Sequence, residues 1–371
     1  MGKRHRRIRA RSATGQVAGA ATEKPGLNSP IVQDGLPNPR SPKKAPRPSQ
    51  PNLSPPPDTT GAFKEQFHAP KSGSCSLPGI LRPVEVQDWW SGGELVPLEL
   101  SGTEQGVFVR REGSGPSMTL LHGFPSSSHD WAKIAPALAE RYALTMPDLL
   151  GFGASSKPRE HRYSLLEQAD LVEALWEREG IESTVVVAHD YSVSVAQELL
   201  TRRAAGTLAV DVRALHFMNG GVYPDLHRPE PVQVALLDPE HGPQISAAMN
   251  GELFMAGLAP TFPEGYDSAA DSAGIWQSFH LHNGQKNAHL LIRYIEDRRE
   301  NAERWTQVLE TTDVPLTFVW GMLDPVSGAH MAERIRERLP DAPFTALEDV
   351  AHWPPLEAPE RVVAALLGRQ P

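Results

Sequence analysis

The chain of 371 residues contains a single cysteine, Cys75. That excludes an internal disulfide framework and any zinc site built on cysteine ligands. It is compatible with a reducing compartment. No apolar run approaches the ~20 residues that a membrane-spanning helix needs. Positive charge is scarce beyond the first fifth of the chain. Residues 1–75 hold thirteen Lys and Arg against four Asp and Glu, while the whole chain carries −9, which leaves −18 for the remainder. An acidic body argues against a nucleic-acid-binding face there.

The opening run Met1-Gly2-Lys3-Arg4-His5-Arg6-Arg7-Ile8-Arg9 is basic and has no apolar h-region after it, so it does not read as a secretory signal. Arg6 stands where a myristoylation motif wants Ser or Thr. A cytoplasmic location is expected, with an organellar transit peptide as the alternative, because the segment is Arg-rich and acid-poor. Residues 1–79 are rich in proline, including Pro55-Pro56-Pro57, and poor in large apolar side chains. They are expected to form a disordered tail. Residues 80–371 then suit one large α/β domain with extras.

The most informative stretch is Thr184 to Gln197. The β-branched run Val185 to Val187 reads as a buried strand. Val193, Val195, Ala196, Leu199 and Leu200 read as one packed face of a helix. Only a very short turn separates them, with small residues, Ala188 and Ser192, two before and two after Asp190. This is the layout of a nucleophile elbow, a strained strand-to-helix turn that pushes one side chain out above a sheet. The exposed residue here is an aspartate. The competing reading is a helix N-cap, the commonest role of Asp at such a place.

Taken in order, residues 94–100 and 106–111 read as paired strands. Met118 to Leu121 is a short strand delivering His122-Gly123-Phe124-Pro125. A tight glycine turn there can aim a backbone N–H at a developing oxyanion. Trp131, Ile134 and Leu138 mark a helix capped by the serines Ser126 to Ser128. The next strand runs Tyr142 to Met146 and ends at Asp148. Gly151-Phe152-Gly153 lacks the third glycine of a dinucleotide loop. A helix over 165–179 stops at Gly180, and strands follow at 214–218, 316–320 and 344–347. Strands alternating with helices predict a mostly parallel, doubly wound α/β sheet. Between 222 and 311 the strand rhythm is lost, which predicts an inserted helical cap.

Asp190, Asp324 and His352 each follow a predicted strand, so all three fall at the carboxyl edge of the sheet. The order nucleophile, acid, histidine is that of α/β-hydrolases. Individually, Asp324 before Pro325 reads as a turn residue and His352 as a loop histidine. A serine hydrolase using Ser192 or Ser194 would require the elbow to shift register, since neither occupies its centre.

The segments 122–131 (HGFPSSSHDW), 148–158 (DLLGFGASSKP), 189–200 (HDYSVSVAQELL), 219–229 (NGGVYPDLHRP) and 323–327 (LDPVS) resemble the α/β-hydrolase branch that contains epoxide hydrolases and haloalkane dehalogenases. Within that branch they are most similar to the mesoderm-specific transcript family. The resemblance covers residues 85–371. Ser192 departs from it, standing where the family carries glycine.

The resemblance implies a hydrolase without cofactor or metal that acts on a small apolar molecule. Asp190 would attack an electrophilic carbon to give an alkyl-enzyme ester. His352, held by Asp324, would activate water to hydrolyse it. The backbone N–H groups of Phe124 and Tyr191 would form the oxyanion hole. An epoxide needs proton donors, which the family takes from cap phenols, so Tyr223, Tyr266 and Tyr294 are candidates. Trp131 is a further candidate for contact with substrate or leaving group. A halide needs N–H donors, but Tyr191 and Phe124 stand where dehalogenases carry an indole and an amide. The expectation is therefore epoxide-hydrolase-like. The alternatives are a haloalkane dehalogenase, an ester hydrolase, or a non-catalytic binding protein on the same fold.

Overall fold

Alternate residues of the central strands bury into two separate apolar layers, and this period of two sets the architecture. A computed structural model describes residues 84–368. The tail expected over residues 1–79, with its basic opening run, lies outside them. Eight strands form one sheet: β1 (Gly93–Leu100), β2 (Thr103–Glu112), β3 (Ser117–Leu121), β4 (Ala143–Pro147), β5 (Ser183–Asp190), β6 (Asp211–Gly220), β7 (Leu316–Gly321) and β8 (Phe344–Leu347). Their spatial order is β1-β2-β4-β3-β5-β6-β7-β8. The β1–β2 and β2–β4 pairs are antiparallel and every later pair is parallel.

On β5, Val186 and Ala188 face one layer and Val187 the other. On β7, Phe318 and Trp320 oppose Val319 in the same way. The helices Leu165–Glu179 and Tyr191–Ala204 cover the first face. Helices Val86–Ser91, Ala135–Ala139 and Pro359–Leu366 cover the second. Local signals explain the helix ends. Ser164 accepts a hydrogen bond from the Glu167 N–H, and Gly180 closes the helix in the left-handed region at φ 66°. The serine run at 126–128 yields a 3-10 turn, Ser128–Trp131, capped by Ser127.

Between β6 and β7 the chain is helical. Helices Pro231–Leu236, Gly242–Ala248, Gly251–Leu258, Ala269–His280, Ala288–Leu291 and Tyr294–Glu300 are joined by short turns. A last helix, Ala302–Thr311, packs on Tyr191–Ala204, where the Trp305 indole donates to Glu198 Oε2 at 2.8 Å. It therefore belongs to the covering layer of the sheet rather than to the roof over its carboxyl edge. Among the described residues no helix is long and apolar enough to cross a membrane.

Candidate active site

The strand β5 ends on Asp190 and the helix begins at Tyr191, with no loop between them. The turn is tight enough to shift the β5–β6 register between His189 and Asp190. Asp190 adopts φ 45°, ψ −101°, a conformation that costs a non-glycine residue about 1–3 kcal/mol and persists where the surroundings hold it. Its side chain makes no cap hydrogen bond to its own helix. Instead, Oδ2 accepts the backbone N–H of Phe124 at 3.0 Å. That approach requires Gly123, because a Cβ there would lie 2.9 Å from the Cβ of Asp190. Ser192 is tolerated where glycine was expected because its hydroxyl donates to the His122 carbonyl at 2.5 Å. Neither Ser192 nor Ser194 is exposed to the cavity described below.

His352 Nδ1 lies 2.9 Å from Asp324 Oδ2. The same carboxylate accepts Asn219 Nδ2 at 2.9 Å, Ser327 Oγ at 2.7 Å and, through Oδ1, the Val326 N–H at 2.8 Å. Burial opposes ionisation of Asp324. The His352 charge and these hydrogen bonds outweigh it and hold the carboxyl well below its usual range. Burial likewise opposes charge on His352. The Asp324 carboxylate beside it, with Asp190 adding, pushes the imidazole up to about 9.

The backbone around His352 is held from three sides. Its N–H donates to the Thr261 carbonyl of the cap at 3.0 Å. Its carbonyl accepts from His189 Nε2 at 2.8 Å. The Glu357 carboxylate accepts the Ala351 and Trp353 N–H groups, both at 2.7 Å. Burial, and next the charge of His352, drive His189 down to about 4, so its ring is neutral and donates through Nε2.

Asp190 and His352 open onto one cavity of about 450 Å³. Its other walls are mostly apolar and come chiefly from the cap, including Leu236, Met249, Leu253, Phe254 and Phe279. The volume falls within the range of small-molecule sites. Beyond Asp190 and His352, its polar side chains are Glu230, Gln233 and Thr261. The Thr261 hydroxyl donates to the Leu258 carbonyl and accepts the Trp353 indole. Gln233 accepts the Glu230 N–H through Oε1, and its amide nitrogen lies 3.4 Å from the Tyr294 hydroxyl. Among the described residues no cluster of His, Cys, Asp and Glu is arranged to hold a metal ion.

Phe124 lines the cavity, whereas the ring of Tyr191 is buried against Phe152 and Tyr294. As the first helical residue, Tyr191 has a backbone N–H without an intrahelical partner. The four side chains expected at the substrate or leaving group do not line the cavity. The Tyr223 ring sits against Arg334 beside a separate surface hollow. Tyr266 donates to Asp271 and to the Leu356 carbonyl. Trp131 is buried in the layer beneath the sheet. Tyr294 comes nearest, its ring 5.7 Å from that of Phe124 and behind it. Non-local packing decides each placement, in the layer beneath the sheet for Trp131 and around the cap for the tyrosines, and helical periodicity does not say which aromatic faces inward.

Sequence reasoning also missed Asn219, His189, Gln233, Thr261 and Glu357. Asn219 had a signal, because it opens the 219–229 segment directly after a strand. Glu357 carried none.

Residues 120–365 match the model of the alpha/beta hydrolase family. A putative hydrolase, LipZ, of Mycobacterium tuberculosis is 38% identical over 284 residues, covering 76% of this chain and 96% of that protein. The human mesoderm-specific transcript homolog protein is 37% identical over 266 residues, covering 69% of this chain and 79% of that one. Among solved structures, haloalkane dehalogenase DbeA from Bradyrhizobium elkani aligns with a TM-score of 0.63 at 23% identity, covering 74% of this chain and 97% of that one. Epoxide hydrolase CorEH aligns with a TM-score of 0.58, also at 23%, covering 74% and 98%. These two likenesses speak to the fold.

Proposed function

The chain belongs to the alpha/beta hydrolase family, and from that premise we propose that it hydrolyses a small, uncharged, apolar substrate through a covalent ester on Asp190. The observation that carries this reading is the Asp190 carboxylate itself. It ignores its own helix and accepts the Phe124 N–H, facing the same cavity as His352. A capping aspartate would face the other way.

Asp190 attacks an electrophilic carbon, and the leaving group departs with the bonding pair. His352, oriented by Asp324, then takes a proton from water, whose oxygen adds to the ester carbon. The N–H groups of Phe124 and Tyr191 stabilise the oxyanion of that step. The apolar cap wall supports an uncharged substrate, because no Lys or Arg side chain lines the cavity to meet an anion.

An epoxide remains the leading electrophile on the sequence resemblance. A second reading has its own support. The cavity presents the Gln233 amide and no phenol. An amide N–H can hydrogen-bond a departing halide but has no proton to give an alkoxide. Turnover of the purified protein on epoxides, haloalkanes and simple esters separates the readings. Epoxide hydrolysis alone supports the first and halide release the second. Ester turnover that survives Asp190→Ala would refute the aspartate route.

A further inference from the structure

The helix Tyr294–Glu300 carries mixed charge of the kind found on solvated helices, yet Arg298 within it is 1% exposed. Taking a guanidinium out of water costs several kcal/mol unless it is paired and hydrogen-bonded. Its polar partners all belong to the elbow. Nε donates to Ser194 Oγ at 2.8 Å, and Nη2 donates to the Asp190 backbone carbonyl at 2.8 Å. Nη2 also lies 3.9 Å from Asp190 Oδ1, the carboxylate oxygen that the Phe124 N–H leaves free. The guanidinium stands 4.5 Å over the Tyr294 ring, and Nη1 has no protein partner. Gly221 makes the room, since a Cβ there would come within 2.7 Å of Nη1. Among the described residues, Asp190 is the one carboxylate within ion-pair distance of this guanidinium. The nearby His227, driven down to about 3 by burial and by Arg298, is neutral.

We propose that Arg298 is a positioning residue for the nucleophile, seated by Ser194 and Gly221, whose charge favours the second half-reaction over the first. This rests on the ester route proposed above. In the first half-reaction, an Asp190 oxygen bonds to the substrate carbon and the negative charge leaves with the departing group. In the second, the water oxygen bonds to the ester carbon and its proton goes to the His352 nitrogen that Asp324 does not hold. Negative charge thereby returns to the Asp190 group as the tetrahedral oxyanion. Collapse breaks the bond to the substrate oxygen, which recovers the proton from His352. The Asp190 carboxylic acid left behind gives up the second water proton to His352 and from there to solvent, and the carboxylate is restored. A fixed cation beside Asp190 slows the departure of that charge and speeds its return. The hydrogen bond to the Asp190 carbonyl holds the elbow peptide at its strained angles while this happens.

The test uses the full chain, with styrene oxide and bromobutane as probes. Intact-protein mass gives the fraction of enzyme held as ester at steady state for wild type, Arg298→Gln and Arg298→Lys. The glutamine variant should raise that fraction several-fold and cut turnover about 10-fold, less than the 10²–10³ of a donor in direct contact. Lysine, which keeps the charge, should fall between. Equal slowing of both steps with an unchanged ester fraction would overturn the proposal, because a merely structural role produces that. Melting temperatures of Asp190→Asn, Arg298→Gln and the double variant give a readout free of chemistry. The double variant should lose less than the sum of the single losses, since each single change leaves its partner buried without an opposite charge. Additive shifts would overturn the pairing. Failure of His352→Gln to form any ester with a probe that the wild type turns over would instead refute the ester route, and the melting cycle would still decide the pairing.

Discussion

The carboxyl edge of the sheet and the cap above it build the same cavity by opposite means. On the sheet side, beside the apolar Phe124, Pro125, Val326 and Trp353, the polar groups facing the cavity are few and fixed by hydrogen bonds. Asp324 accepts four, and the His352 backbone is tied to the cap, to β5 and to the closing helices. On the cap side the lining is mostly apolar and includes Leu253, which is 63% exposed. Position is over-determined where bonds are to be made and broken, and left loose where shape and contact area do the selecting. If that division is right, substitutions at the sheet edge should change the course of the reaction, whereas those in the cap should change what enters.

The largest expected effect is from Asp190→Ala. It should abolish the covalent intermediate and lower turnover by at least about 10⁴-fold, the scale of losing a nucleophile. Retained turnover in a substrate assay would dissolve the contrast between the two regions. Asp324→Asn should be next. It removes the strongest support for the His352 orientation and should slow ester hydrolysis by about 10²-fold, with alkylation much less affected. Pre-steady-state quench experiments separate the two steps.

The pH dependence sharpens the same point. In the folded protein His352 is pushed up to about 9 by Asp324, so it is charged at neutral pH and unable to take a proton. Turnover limited by ester hydrolysis should therefore rise with pH through the His352 titration, which in the ester lies below that of the free enzyme because Asp190 no longer adds its charge, and level off above it. Removing the Asp324 charge should move that rise to lower pH, since the main effect opposing burial is gone. A rise centred near the ordinary histidine value in wild type would contradict the pairing. The smallest effect belongs to the cap. Leu253→Ala should leave the melting temperature and kcat nearly unchanged and raise KM by less than about 10-fold, because the side chain is half in solvent. A loss in kcat there would mean the cap takes part in the chemistry.

The same contrast explains what could be read from the sequence. The sheet edge was legible because its signals are local. A strand, a turn flanked by Ala188 and Ser192, and then a helix leave one place for Asp190. Asp324 follows the buried strand Leu316–Gly321, and His352 follows the shorter, partly buried strand Phe344–Leu347. The loss of strand rhythm after β6 was legible for the same reason, but not that the last helix, Ala302–Thr311, packs in the covering layer of the sheet. What faced inward was not. Tyr223, Tyr266 and Tyr294 are all in or beside helices, but their direction depends on how short helices pack on one another, a non-local property. Arg298 was hidden more thoroughly, because Tyr294-Ile295-Glu296-Asp297-Arg298-Arg299-Glu300 has the charge pattern of a solvated face. Only the packing against Gly221 and the elbow shows that Arg298 is buried.

The central claim is that Asp190 carries the substrate between two half-reactions performed by separate groups. Intact-protein mass of His352→Gln, taken after incubation with a substrate that the wild type turns over, tests it most directly. The carboxylate can still attack while water is no longer activated, so the variant should carry a stoichiometric adduct that maps to the Asp190 peptide. Its turnover should fall by about 10²–10⁴-fold. A His352→Gln protein that stays unmodified while Asp190→Ala retains turnover would contradict the account and leave Asp190 a structural residue of the elbow.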